Sequence, residues 1–232
     1  MTQGLVELRG IEKQYPVGSQ ILQVLHNIDL SLFHGEFLAI AGPSGSGKST
    51  LLNIVGCLER PTKGEYTFDG KNAGFADDRA LSRLRAASLG FVFQTFNLVP
   101  TLNLLENVAL PFLYSRTNSR HARQKALAAI EEVGLSHRIH HRPAELSGGE
   151  MQRTAIARAI ATAPKLILAD EPTGNLDSTT GGRILELLKA LNRRGTSIMM
   201  VTHDPQVAAL ASRRCCIQDG ALLPGGLCAP GA

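Results

Sequence analysis

The chain has 232 residues, 44% hydrophobic and 19% charged, which are the proportions of a globular protein of one or two domains with a substantial core, and they exclude a mostly disordered chain. Lys and Arg exceed Asp and Glu by four; this mild excess fits a solvated surface first and attraction to anionic lipid second, and nucleic acid ranks last because aromatics are few and no basic stretch interleaves with them. No apolar run of about 18 residues predicts a membrane span, and the opening MTQGLVELRG lacks the basic and apolar regions of a secretory signal.

In chain order, the first 30 or so residues read as short strands of an antiparallel edge. Phe37 to Ala41 is an apolar run ending at a glycine, the pattern of a buried strand entering a tight loop. Lys48 to Leu58 reads as a helix, and Gly64 to Asp69 as another edge strand. Leu89 to Phe93 is a buried strand ending at Gln94. From Thr95 to Arg142 strand signals vanish. Ala122, Ala126, Leu127, Ile130 and Val133 form a helical apolar stripe, with Gly134 at the position after the helix end. Met151 to Ala161 is strongly helical. Leu166 to Ala169 is a buried strand ending at Asp170, and Ser197 to Val201 another, ending near His203. The tail, 224–232, is rich in Gly, Pro and Ala and reads as flexible. Cys57, Cys215, Cys216 and Cys228 form no C-x-x-C pair and are expected to be reduced thiols.

This alternation predicts an α/β fold with a largely parallel sheet and an inserted helical subdomain. A single domain over 1–232 is expected: a core of 1–94 and 162–223 with an antiparallel β edge, a helical part of 95–161, and the tail. Polar residues stand just past the carboxyl ends of the apolar runs, the edge where open α/β sheets bind ligands.

Gly42-Pro43-Ser44-Gly45-Ser46-Gly47-Lys48-Ser49 fits G-x-x-x-x-G-K-[ST] between a predicted strand and a predicted helix. The glycines let backbone N–H groups turn toward phosphate oxygens, and a side chain there would block the approach. The following helix presents its positive end to the same anion. Lys48 is placed for the β and γ phosphates and the Ser49 hydroxyl for Mg²⁺. Asp170-Glu171 is either a capping pair before Pro172 or, given the phosphate loop, a carboxylate near the metal followed by the base for an attacking water. Leu146-Ser147-Gly148-Gly149-Glu150 opens a second helix. It reads as a plain capping box or as a second anion site. His137, His140 and His141 lie among Arg138 and Arg142 with no interleaved Cys or carboxylate; a solvated loop is expected there ahead of a metal site.

These motifs, in this order, resemble the ATP-binding cassette ATPases: the phosphate loop, then Leu146 to Glu150 with Gln152 and Arg153, then Asp170-Glu171. The resemblance covers nearly the whole chain. It implies the P-loop NTPase fold of that family with a RecA-like core, ATP and Mg²⁺ as cofactors, and ATP hydrolysis. Tyr15 matches the aromatic that stacks on adenine, and Thr50 follows the phosphate loop into the nucleotide site. Gln94 matches the glutamine that senses Mg²⁺ and the attacking water, so the metal set is Ser49, Gln94 and Asp170. Glu171 and His203 match the catalytic carboxylate and the switch histidine at the γ-phosphate. Asn175-Leu176-Asp177 matches the loop that crosses the dimer interface. Ser147, Gly148, Gly149 and Glu150 would close on the nucleotide of a second subunit.

The sequence departs from the family at Glu150, where Gln is commoner, and at Gly174-Asn175, where Ser-Ala is commoner. With Gly56-Cys57-Leu58-Glu59 these departures resemble the macrolide-export and lipoprotein-releasing branch. The implied partners are a second ATPase subunit, identical or homologous, with a homodimer favoured because one chain carries every motif, and a separate transmembrane permease, with no nucleic acid. Membrane contact would run through the permease, on the cytoplasmic face. Phe96, Leu98, Val99 and Leu102 to Leu105 are the expected docking surface. A mechanotransmitting ATPase of the cell-division type shares every one of these motifs and is the alternative.

Overall fold

The computed structural model describes residues 4–114 and 117–223; the expected flexible tail and Cys228 lie outside them. In chain order the elements are β1 (Val6–Val17), β2 (Gln20–Leu32), β3 (Phe37–Ala41), α1 (Lys48–Val55), β4 (Lys63–Phe68), β5 (Lys71–Asn72), α2 (Asp78–Ser88), β6 (Leu89–Val92), α3 (Leu104–Ala109), α4 (Ser119–Glu132), α5 (Gly148–Ile160), β7 (Leu166–Asp170), α6 (Ser178–Arg193), β8 (Ser197–Thr202), α7 (Pro205–Ala208), β9 (Arg213–Gln218) and β10 (Ala221–Leu222). The chain divides into two compact units, one running to Leu81 and resuming at Ser197, the other spanning Ser82–Thr196.

In the first unit β3 lies between β8 and β9, parallel to both. Every residue of β3 and β8 is buried, as continuous apolar runs in a parallel sheet require. Helices α1 and α7 pack against β8. The antiparallel edge is present: β1 pairs with β2 on one side and β4 on the other. Tyr66 of β4 is buried, and its hydroxyl donates to the Val55 carbonyl at 2.6 Å, tying the end of α1 to this sheet. That helix is shorter than the predicted Lys48 to Leu58. Cys57 takes a left-handed φ of 55°, and its N–H and that of Leu58 donate to the Ile54 and Asn53 carbonyls, both at 2.9 Å, which ends the ladder. Strand β9 carries Arg-Arg-Cys-Cys and shows no apolar alternation in sequence; Cys216 and Ile217 are nonetheless buried, and Arg213 is held by the Glu36 carboxylate and the Ser31 carbonyl.

In the second unit β6 and β7 pair in parallel, Leu89 opposite Leu166 through Val92 opposite Ala169. Helix α5 lies on β6. Gly90 permits this approach, since a Cβ there would stand 2.5 Å from the Ala159 carbonyl oxygen. Helices α3, α4 and α5 pack on one another. The predicted stripe of α4 is buried at Ala122, Ala126 and Ile130, with Val133 buried just past its end and Gly134 left-handed at φ 72°; Leu127 is half-buried, and Ala129 takes a place on the stripe.

Candidate active site

The first unit holds the phosphate loop, Tyr15 and His203; the second holds Gln94, Asp170, Glu171, the Ser147 loop and Asp177. Helix α1 begins at Lys48 on a left-handed Gly47 (φ 100°), with no side chain capping its N–H groups. Four N–H groups at such an end lack intrahelical partners. Lys48 is 7% exposed, and its ammonium donates to the Gly42 and Pro43 carbonyls at 2.8 and 2.7 Å, which folds the loop around it. Ser49 and Thr50 follow in the first turn.

The three loop glycines turn out to serve different ends. A Cβ on Gly42 would lie 2.1 Å from the Ile217 carbonyl oxygen, and one on Gly47 would lie 2.8 Å from Leu25 Cδ2. Both are glycine because the protein's own chain passes close by. Gly45 is left-handed at φ 80°, and a Cβ there meets nothing within 4 Å. Close packing thus requires glycine at 42 and 47, while Gly45 faces open space. Ser46 is buried at 4% exposure and its Oγ lacks a hydrogen-bond partner. An orphaned buried hydroxyl costs free energy until an acceptor or donor meets it. Together with a helix start that no side chain caps it fits a phosphate group.

Tyr15 lies on β1 opposite Leu22. Its hydroxyl donates to the Glu59 carboxylate and exchanges a hydrogen bond with the Thr50 side chain. The Lys13 ammonium sits 4.8 Å from its ring centroid and 3.3 Å from Glu59. Burial and then the Glu59 bond push the Tyr15 hydroxyl above its ordinary pKa. Burial alone would raise Glu59, but the bonds from Tyr15 and Lys13 outweigh it and hold the carboxyl below its usual range. One ring face is thus covered by a cation and the ring edge is anchored to α1. Glu59 and Lys13 were not among the predicted site residues, because an exposed-looking charge pair carries no motif.

Asp170 closes β7, and Glu171 follows in a left-handed conformation at φ 45°, an uncommon state for a non-glycine that concentrates at functional positions. Gln94, just past β6, is bonded to the loop after Glu171. Its Nε2 donates to Asn175 Oδ1 at 3.3 Å, and Asn175 Nδ2 donates to the Gln94 carbonyl at 3.0 Å. Asp177 caps α6 by accepting from the Thr180 N–H at 2.9 Å, and the bonds from Thr180 hold its carboxyl below the usual range. His203 is exposed just past β8, beside Asp204, which caps α7 and takes a bond from its own N–H to Thr202 Oγ1.

Ser147 caps α5, and the capping-box reading of its loop is realised. The capping box is complete: Ser147 N–H and Oγ donate to Glu150 Oε2 at 2.9 and 2.8 Å, and Glu150 N–H donates to Ser147 Oγ at 3.3 Å. The Arg138 guanidinium binds the other oxygen of Glu150 at 2.9 Å. Bonds from Ser147 first, and Arg138 after burial's opposing pull, lower the Glu150 carboxyl to about 2. A charged Glu, where the family favours Gln, thus has a cation to meet it, and Arg138 from the histidine-rich loop supplies it. Gly148 and Gly149 pack against the Asp177 loop: a Cβ on Gly149 would reach within 2.5 Å of Thr180 Cγ2. Gln152, buried in α5, donates to the Pro172 carbonyl at 2.6 Å. Arg158 at the far end of α5 donates to the carbonyls of Phe96 and Asn97, both left-handed, and burial lowers its pKa. Arg158 was missed in the sequence because it lies 62 residues from its partner Phe96.

The expected docking surface needs one correction. Leu104 and Leu105 are 1% and 6% exposed, because α3 packs them against α4 and α5. Asn107, fully buried, pins the preceding segment by bonding the Val99 N–H and the carbonyls of Val99, Leu102 and Asn103. Val99 is exposed, and Phe96 and Leu98 are half-exposed.

Among the described residues no group of three or more His, Cys, Asp or Glu is arranged to hold a metal. Ser49 of the first unit, and Asp170 and Gln94 of the second, carry hydroxyl, carboxylate and carboxamide oxygens. Hard donors in small number suit Mg²⁺, which keeps water and substrate phosphate in its shell. Also among the described residues, no helix is long and apolar enough to cross a membrane.

A family model described as ABC transporter matches residues 25–174. An uncharacterized ABC transporter ATP-binding protein of Bacillus subtilis, YknY, is 49% identical over 220 residues, covering 95% of this chain and 96% of that protein. The macrolide export ATP-binding/permease protein MacB of Escherichia coli is 48% identical over 219 residues, which are 94% of this chain and 34% of that longer protein. The solved structure of the ATP-binding cassette MJ0796, dimeric in a post-hydrolysis state bound to ADP and Pi, superposes with a TM-score of 0.86 at 44% identity, covering 94% of this chain and 96% of that one. The matched span takes in the phosphate loop, Gln94, the Ser147 loop and Asp170-Glu171. The chain belongs to the ABC transporter family, with the family's P-loop ATPase fold, and is an ATP-binding cassette that hydrolyses ATP.

Proposed function

We propose that two copies of this chain enclose two ATP molecules, each held between the phosphate loop of one copy and Ser147, Gly148 and Gly149 of the other. The observation that carries this reading is the presence, in one chain, of two glycine-opened helix ends, at α1 and at α5. Each offers N–H groups and a positive dipole end to an anion. ATP would then act as an adhesive between subunits, and hydrolysis followed by departure of phosphate would remove the charge that holds them.

The Lys48 ammonium, now on the Gly42 and Pro43 carbonyls, would take β- and γ-phosphate oxygens. Gly45, Ser46 and the N–H groups of Gly47 through Thr50 would line the phosphates. Tyr15 would stack its uncovered face on adenine. Ser49, Asp170 and Gln94 would hold Mg²⁺, and the chemistry it would supply there is neutralisation of phosphate charge. Glu171 would accept a proton from the attacking water, His203 would donate to a γ-phosphate oxygen, and Asp177 would face the partner copy. The products are ADP and phosphate.

Work done by this cycle would pass to a separate permease, through Phe96, Leu98 and Val99, on the cytoplasmic face of the membrane. The name of the Escherichia coli relative, which unites ATP-binding and permease functions, supports a permease partner. Export or lipoprotein extraction is the proposed task. The test is Glu171→Gln with Mg-ATP, read by light scattering on an eluting column. A stable ATP-dependent dimer is expected; a strictly monomeric variant that still binds ATP would overturn the proposal.

A further inference from the structure

We infer that Asn175 is a positioning residue that fixes the amide orientation of Gln94, so that the side-chain oxygen of Gln94 is the atom presented to metal and water. The inference rests on the proposed role of Gln94 and goes beyond it. A glutamine amide can present either its oxygen or its NH₂ to a given point, and only the hydrogen-bond network decides which. A site that needs an oxygen ligand must suppress the flipped state.

The chain does this in two steps. The Gln94 backbone carbonyl can only accept, so Asn175 must turn its Nδ2 toward it, at 3.0 Å. That places Asn175 Oδ1 against the Gln94 side chain, and Oδ1 can only accept. The Gln94 atom facing it at 3.3 Å must therefore be Nε2. Flipping Gln94 would set two oxygens against each other. The Gln94 Oε1 atom is left pointing away from the pair. Gly174 completes the device: a Cβ there would stand 2.7 Å from Gln94 Nε2 and displace it. The two departures from the commoner Ser-Ala at 174 and 175 thus have one physical purpose. Glycine makes room for the glutamine amide, and asparagine reads its orientation. Partners that orient a metal ligand in this way typically govern metal affinity by about 10-fold or more.

The test uses Mn²⁺ as the probe, with the full chain and a nonhydrolysable ATP analogue, and reads the Mn²⁺ dissociation constant by electron paramagnetic resonance. Asn175→Ala is expected to weaken Mn²⁺ about 10-fold while leaving metal-free nucleotide affinity unchanged, which also shows that the variant is folded. Gly174→Ala, which touches a flexible side-chain end and spares the backbone, is expected to give the same loss. Gln94→Ala should weaken Mn²⁺ as much, and adding Asn175→Ala to it should cost nothing further. Unchanged Mn²⁺ affinity in Asn175→Ala and Gly174→Ala beside a loss in Gln94→Ala overturns the positioning role alone. Unchanged affinity in Gln94→Ala overturns the role of Gln94 and the inference with it.

Discussion

Alanine placed singly at Gly42, Gly45 and Gly47 should separate packing from ligand binding within one loop. At Gly42 the new methyl would meet a backbone carbonyl at 2.1 Å. A carbonyl in β9 has no rotamer to retreat to, so the cost lies at or above the upper end of overpacking, about 3 kcal/mol. At Gly47 the methyl meets Leu25 Cδ2 at 2.8 Å and Val24 O at 3.1 Å, on a backbone at φ 100°. A left-handed alanine costs about 1–2 kcal/mol and the crowding about 1–3 more, giving roughly 2–5 in all. At Gly45 only the left-handed cost applies, about 1–2 kcal/mol, since no atom is met. For a chain of this size each kcal/mol moves the melting midpoint by about 2–4 °C. Thermal unfolding by far-ultraviolet circular dichroism without nucleotide should therefore place Gly42→Ala about 6–12 °C below the parent. Gly45→Ala should fall less, by at most about two thirds of the Gly42→Ala shift. Equilibrium ATP binding should be weakened in Gly45→Ala far beyond its small stability loss, because its methyl enters the space left for phosphate. Equal melting shifts for all three, or normal ATP binding by Gly45→Ala, would refute this division.

Glu59→Ala removes the carboxylate that the Tyr15 hydroxyl and Lys13 share, and ATP affinity should fall several-fold while tripolyphosphate, which has no base, binds as before; equal losses for both would remove Tyr15 from base recognition. Glu150→Gln keeps the capping box and loses the Arg138 ion pair. Because Glu150 is lowered in the folded state to about 2, its extra stability is present above the ordinary carboxyl pKa and lost as pH falls. The stability gap between parent and variant should shrink below about pH 4.5 and close near pH 2; a gap that widens on acidification contradicts the assignment. Leu98→Glu should abolish co-purification with membranes and leave ATP binding intact, whereas membrane association that survives would move the docking surface elsewhere.

The buried parallel strands were legible because burial on both faces leaves a nearly unbroken apolar run, as at Phe37 to Ala41 and Ser197 to Val201. The phosphate loop was legible because a fixed spacing of glycine, lysine and serine has few other uses. Strand β9 was not, since Arg213 and Arg214 break the pattern and find partners, such as Glu36, that lie far away in sequence. Leu104 and Leu105 read as surface because a six-residue helix is too short to reveal which side faces its neighbours. The glycines at 42 and 47 advertised phosphate, but the atoms they spare belong to Ile217, Leu25 and Val24. Gln94 was named from the resemblance; its pairing with Asn175 was not legible, because 81 residues separate them and only the fold sets two amides face to face.

The central claim, that each nucleotide is gripped by different loops of two copies, is tested most directly by mixing two defective chains. In a Glu171→Gln background, one chain carries Lys48→Ala and the other Ser147→Arg. The mixed dimer then has one site built from two intact loops and one built from two damaged ones. Each chain alone should occlude no ATP, and the mixture should occlude one ATP per dimer. A mixture as inactive as its parents would mean that each copy uses its own two loops, and the account would fail.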